Sequence, residues 1–198
     1  MADPAPELAL AAICQELVRR RRRFALVGGL AVSVRAEVRF TRDVDLVVLV
    51  ADDSEAESLT YELRSAGYLA VASVEHETRH RLSTVRLMSP SGVKVDLLFA
   101  SSGIESEIVE RATPVDFGSA GTVPVACAEE LLAMKILSMT DTRLQDRIDA
   151  QRLLQFTVDL DVSVVREHLA RITERGYARE QDLEAKLTAL LRDVGRGT

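Results

Sequence analysis

The sequence predicts an α+β chain, and three observations carry that prediction. Phe24 to Val50 (FALVGGLAVSVRAEVRFTRDVDLVVLV) reads as strand, tight turn, helix, loop and strand. Leu82–Met88 and Val93–Phe99 flank Ser89-Pro90-Ser91-Gly92, which reads as a β-hairpin. From Cys127 onward the pattern is helical to the end. The internal boundary therefore falls near residue 126, dividing a core, 1–126, from a helical region, 127–198.

Composition bounds the class. A chain of 198 residues suits one domain, or one with an appendage. Aromatics are only 4% and Trp is absent, so Leu, Val, Ala and Ile must build the core. A net charge of −6 argues against a surface coated in positive charge for nucleic acid, though not against a local basic groove. Cys14 and Cys127 lack zinc spacing, which favours a reduced, cytoplasmic chain. The N-terminus has no basic leader, and no apolar run approaches membrane length, so no membrane association is expected.

Element by element, residues 6–22 read as a helix with an imperfect stripe of Leu8, Ala12, Cys14, Leu17 and Val18. It ends in Arg19-Arg20-Arg21-Arg22-Arg23, which complements the helix dipole or, given its place before the strand to Gly28, borders the cleft and touches RNA or phosphate. Asp52-Asp53-Ser54 caps a helix over 54–66, closed by Gly67. Tyr68–Val74 reads as a strand. Glu75–Arg81 reads as a polar loop, with His76 and His80 as surface residues lacking a third zinc ligand. Ile104–Ala112 reads as a helix, followed by short strands at Thr113–Phe117 and Thr122–Ala126. Asp161 occupies a helix N-cap, so Asp159-Leu160-Asp161 is a decoy for a metal motif. Helices over 162–175 and 178–193 are split by Gly176.

The chemistry concentrates in a few residues. Asp43 and Asp45 fall on one face of a strand, where two carboxylates repel unless a cation neutralises them. Mg2+ takes one or two carboxylates together with substrate phosphates. Gly28-Gly29 permits close backbone approach, and the helix after it offers its amides to phosphate. Together these features suggest Mg2+-dependent chemistry on a nucleoside triphosphate. The plain alternative is an ordinary turn with Asp43 merely opening a strand. Asp96, set among apolar residues in Val93-Lys94-Val95-Asp96, reads as a third metal-site carboxylate and a base for an attacking hydroxyl. Lys135 lies in the middle of the apolar stripe of a helix over 128–139 and needs a negative partner; a triphosphate suits, and a snorkelling stem is the alternative. Of Asp146 and Asp149, one orients Lys135 or supports the cation, and the other partners a surface arginine at helical spacing; Asp146 is preferred for the first role.

The Gly28-Gly29 turn, the stretch Arg39-x-Thr41-x-Asp43-x-Asp45, Asp96, the Lys135 helix and the Asp146/Asp149 helix stand in that order. The order resembles the DNA polymerase beta-type nucleotidyltransferase superfamily. Within it the chain is similar to the nucleotidyltransferase toxins of bacterial abortive-infection (type IV) toxin–antitoxin systems. The resemblance covers about residues 24–156. Many members carry Gly-Ser where this chain has Gly28-Gly29, so one side-chain phosphate contact is missing.

The resemblance implies a mixed sheet flanked by helices, with the C-terminal helical part packing over the cleft. It implies that Asp43 and Asp45 hold Mg2+ against the triphosphate and that Asp96 completes a second cation position. Gly28, Gly29, Arg39, Thr41, Arg42 and Lys135 would bind the nucleotide, and Asp146 would be the fourth catalytic carboxylate. The implied reaction moves a nucleoside monophosphate to a hydroxyl and releases pyrophosphate. The expected acceptor is RNA, notably the tRNA 3′ end, with a cognate antitoxin as neutralising partner. An aminoglycoside-like or protein acceptor is the alternative within enzymes, and a non-catalytic nucleotide-binding module the alternative outside them.

Overall fold

The computed structural model describes residues 6–76 and 80–196. Residues 77–79 of the polar 75–81 run lie outside the described residues, as does the extreme N-terminus.

Helix α1 (Pro6–Arg19) buries Ala9, Leu10, Ile13, Cys14 and Leu17. The stripe is rotated from the expected one, since Leu8 and Val18 are exposed: the face turned inward is the one with more apolar area. Strand β1 (Phe24–Val27) is buried throughout, as suits a central strand covered on both faces. It runs into α2 (Gly28–Arg35), and a loop leads to β2 (Val44–Val48). Next come α3 (Asp53–Ser65), β3 (Leu69–Glu75), β4 (Leu82–Met88) and β5 (Lys94–Leu98). Asp52 caps α3 by accepting from the Glu55 amide at 2.9 Å. The turn joining β4 and β5 closes with Gly92 N donating to Ser89 O at 2.9 Å. The core ends with α4 (Glu105–Arg111), β6 (Thr113–Asp116), a 3-10 turn and β7 (Thr122–Val125).

The seven strands form one mixed sheet, ordered β3-β4-β5-β2-β1-β7-β6. This is the mixed sheet the resemblance implied. β1 and β2 are antiparallel with Val27 opposite Asp45, and β2 runs parallel to β5 with Asp45 beside Asp96. The ends of three central strands thus meet at one edge, and that register places the site.

Four helices follow: α5 (Ala128–Ser138), α6 (Leu144–Phe156), α7 (Val162–Glu174) and α8 (Leu183–Asp193). α5 is the hub, touching α2 in the core and α6, α7 and α8 behind it. Asp161 caps α7, accepting from Ser163 N at 2.8 Å. The last helix is shorter than the sequence suggested. Arg179 and Glu180 take positive φ (54° and 58°), and Asp182 caps a fresh start at Leu183. His76 also departs from expectation: it is buried, its ring edge-on to Tyr177 at 4.7 Å between centroids.

One guanidinium clamp braces the core, and a second joins the halves. Arg35 at the end of α2 donates to Ala126 O (2.8 Å), Val125 O (2.7 Å) and Thr113 Oγ1 (2.6 Å). Arg175, following α7, grips Glu107 of α4 at 2.7 Å and 3.1 Å. Burial pushes the Glu107 carboxyl up, but the bonds from Arg175 and Ser106 outweigh it and bring it down to about 2. Its folded value lies below its unfolded one, so this stability is present above pH ~4.5 and lost as pH falls toward 2. Arg175 is partly exposed, which discounts the gain to roughly 1 kcal/mol, or ~2–4 °C. Glu107→Gln is therefore expected to lower the melting temperature at pH 7 by that amount. The gap from wild type should narrow below pH ~4.5 and close only as pH falls to about 2 in a pH series of thermal melts; a gap constant with pH would rule the ion pair out as its source.

Candidate active site

An open cleft of ≈ 670 Å³ lies at the strand ends, walled by Gly29, the Arg39–Asp43 loop, Asp45, Asp96 and the start of α6. The structure brings Asp43, Asp45, Asp96, Lys135 and Asp146 to it, along with Arg39, Thr41 and Arg42. Asp43 sits one residue before β2 and Asp45 within it, so the alternation expected on a strand turns both toward the cleft.

The Gly-Gly turn is required by the chain itself. Gly28 has φ +65°, and a Cβ there would be driven into the Asp45 carboxylate. A Cβ on Gly29 would come within 2.8 Å of both Arg39 Cζ and Thr41 Oγ1. Only a bare backbone lets the turn lie flat against these side chains. The Gly29 amide donates to Asp45, an anion contact at the first turn of α2. Even so, the Asp45 carboxyl is pushed up to about 6, first by burial and then by the negative charges of Asp96 and Asp43; Lys135 only partly opposes them.

Arg86 of β4 is the functional candidate that sequence reasoning missed. Its guanidinium grips both Asp96 oxygens, Nε to Oδ1 at 2.8 Å and Nη2 to Oδ2 at 2.6 Å. Asp96 in turn drives the Arg86 pKa further up. A signal was present: counting back from the hairpin turn pairs Met88 with Lys94 and hence Arg86 with Asp96.

A second network lines the α6 side of the cleft and reaches back to Asp149. Lys135 Nζ reaches Asp146 Oδ1 and Asp149 Oδ2, both at 2.8 Å. Asp149 is fully buried and is also held by Arg39 (3.0 Å and 3.1 Å) and by Gln145 (2.8 Å). Asp146 takes Arg143 at 2.8 Å. Both aspartates therefore orient Lys135, which corrects the division of labour expected from sequence. Neither serves Arg147 or Arg152, which pair with Asp193 and Glu37 instead. The arginine run is also corrected. It lies at the far end of β1 from Gly28, where Arg19 and Arg20 pair with Glu16, Arg20 reaches Glu62 at 3.0 Å, and Arg22 pairs with Glu55.

The donor set suits a divalent cation, and the Asp45 carboxyl is raised first by burial and then by the Asp96 and Asp43 charges, which a cation would offset. Asp43 and Asp45, both on the cleft wall, could hold it. Arg86 engages both Asp96 oxygens and so competes with any ion there. Arg86→Gln is accordingly expected to tighten Mn2+ binding several-fold without nucleotide, read by paramagnetic resonance titration; weaker binding would mean that Arg86 orients Asp96 for the ion. Among the described residues, Cys127, Glu129 and Glu130 bring ligand atoms within 4.8 Å of one another. Glu130 is already engaged by Arg111 and by His168 (3.0 Å), and the Cys127 thiol donates to Arg111 O at 3.1 Å, so this cluster pins α4 and α7 to α5.

Comparison with known proteins follows the same line. A family model described as "Nucleotidyl transferase AbiEii toxin, Type IV TA system" matches residues 12–196. No curated protein sequence matches the chain. Among solved structures, the chain is similar to an antigenic nucleotidyltransferase-like protein from Paracoccidioides brasiliensis, at 19% identity and TM-score 0.50, covering 94% of this chain and 91% of that one. It is also similar to the antibiotic-resistance factor ANT(2″)-Ia, at 16% identity and TM-score 0.50, covering 90% and 96%. A protein from H. pylori assigned as a nucleotidyltransferase aligns at 15% identity and TM-score 0.51, covering 99% and 96%. These likenesses establish the nucleotidyltransferase fold. No helix among the described residues is long and apolar enough to cross a membrane.

Proposed function

The chain belongs to the AbiEii nucleotidyltransferase toxin family of type IV toxin–antitoxin systems, and we propose that it transfers a nucleoside monophosphate from a triphosphate to a hydroxyl of RNA, the tRNA 3′ end foremost, with Mg2+ as cofactor. The carrying observation is the charge of the cleft wall. Five cationic side chains (Arg39, Arg42, Arg86, Lys135 and Arg143) stand around Asp43, Asp45, Asp96 and Asp146. The near balance leaves room for divalent ions, and with them the wall matches a triphosphate and a polyanionic acceptor. A cationic antibiotic would need an acidic subsite, which this lining does not favour.

In this reading Asp43 and Asp45 hold Mg2+, which when bound neutralises charge on the phosphate and acceptor oxygens. The Gly29 turn and Lys135 hold phosphates, and Asp96, once Arg86 frees one of its oxygens, takes the proton of the attacking hydroxyl. The protein's share is positioning and charge stabilisation. Residues 1–126 form the catalytic core, and 127–198 cover the cleft and supply Lys135 and Asp146. An antitoxin would restrain the activity in a reduced cytoplasm.

The test is transfer of label from each of four α-labelled nucleoside triphosphates to total RNA with Mg2+, comparing wild type with Asp45→Asn. Label on tRNA-sized species with wild type alone supports the reading. No label on RNA, beside a control transferase that works, overturns the RNA acceptor. Metal-dependent nucleotide binding without any transfer would leave a binding module.

A further inference from the structure

We propose that Phe40 is a stacking platform for an unpaired base at the 3′ end of the acceptor, resting on the reading of RNA as that acceptor. Phe40 is 75% exposed yet lines the catalytic cleft. Its place is set by its neighbours. Along Arg39-Phe40-Thr41-Arg42 burial alternates, partly buried at Arg39 and Thr41 and exposed at Phe40 and Arg42. Arg39 is clamped to buried Asp149, and the Thr41 hydroxyl lies against Gly29. Phe40 and Arg42 are left on the outward side, and Arg39, which also donates Nη1 to Phe40 O at 3.2 Å, fixes the backbone that carries the ring.

Two further features point to a planar, anionic ligand. The Arg42 guanidinium sits over the Phe40 ring, 5.2 Å from its centroid, so an aromatic face and a cation are presented together. From α6, Arg143 and Leu144 line the same cleft, and Leu144 is 65% exposed. Aromatic faces interleaved with cations along a groove are how single strands are held: bases stack while the cations follow the phosphates. Every base has a π-face, so such a platform selects an unpaired end more than a sequence. The platform sits on the loop that leads into Asp43 and Asp45, which would bring a terminal hydroxyl next to the carboxylates.

The experiment compares wild type, Phe40→Ala and Phe40→Trp on a tRNA and on a short single-stranded RNA bearing 2-aminopurine as its 3′ base. Base–aromatic stacking predicts that Phe40→Ala raises KM for RNA by roughly tenfold to a hundredfold. The 2-aminopurine quenching seen with wild type should be lost, while nucleotide affinity measured without RNA is unchanged. Phe40→Trp should retain both KM and quenching. If Phe40→Ala transfers to RNA with unchanged KM and quenching, the platform is refuted while RNA as acceptor stands. If Phe40→Ala instead loses nucleotide affinity or thermal stability in proportion to its KM effect, Phe40 is structural and the proposal also fails. If wild type labels no RNA, the acceptor reading itself falls, and the platform with it.

Discussion

Asp45→Asn is expected to reduce nucleotidyl transfer at least about a thousandfold while making the metal-free protein more stable. The activity loss follows from removing a carboxylate that the cleft sets between Asp43 and Asp96. The stability gain follows from the sign of the Asp45 shift. Its pKa is pushed up to about 6, so ionising it in the folded chain works against folding. Stability falls as pH rises from ~4 to ~6, by at most ~3 kcal/mol. Asparagine keeps the shape and does not ionise. The variant should therefore melt higher at pH 7, with the advantage vanishing near pH 3, where the wild-type carboxyl is protonated in both states. Parallel thermal melts without divalent ions and transfer assays with Mg2+ check both halves. A variant that melts lower at pH 7 would mean that Asp45 is held by unrecognised structural partners. One that keeps its activity would remove Asp45 from the metal site.

Lys135→Met should be the most destabilising single change in the site, costing roughly 3–5 kcal/mol, or about 10 °C in melting temperature. The sequence pointed to a triphosphate as the negative partner of this lysine. The structure adds a second task, because its ammonium joins Asp146 and Asp149, which lie one turn apart on α6 and are almost wholly buried. Methionine preserves the stem but leaves these carboxylates to repel each other, with Arg39 and Arg143 offsetting part of the loss. Adding Asp146→Asn should recover part of the stability without restoring nucleotide affinity. That pattern in a double-mutant cycle separates the structural task from the phosphate task. Equal stability for Lys135→Met and wild type would show that the lysine is held for phosphate alone.

Much of this protein could be read from short stretches. Period-two alternation put Asp43 and Asp45 on one side, and the change of period after residue 126 marked the helical half. Caps such as Asp52 and Asp161 are local hydrogen bonds, which four residues suffice to specify. The Gly28-Gly29 turn was legible as a close backbone approach, although what approaches it in this state is Asp45, Arg39 and Thr41.

What could not be read shares one physical cause. Ion pairs are non-directional at a distance and depend on which helix packs where. Arg39 meets Asp149 across 110 residues, and Arg175 meets Glu107 across 68. The five consecutive arginines looked like a cleft border because chain proximity to Gly28 was the only available guide. An extended strand carries its two ends apart, and acidic residues of α1 and α3 wait at the far one. Sequence by itself determined the fold class, the carboxylates and the glycine turn, since these rest on backbone period and local sterics. Only the tertiary structure decided the partners of those carboxylates. Arg86 on Asp96 and Lys135 between Asp146 and Asp149 follow from strand register and helix packing, which bring into contact charges that the chain keeps far apart.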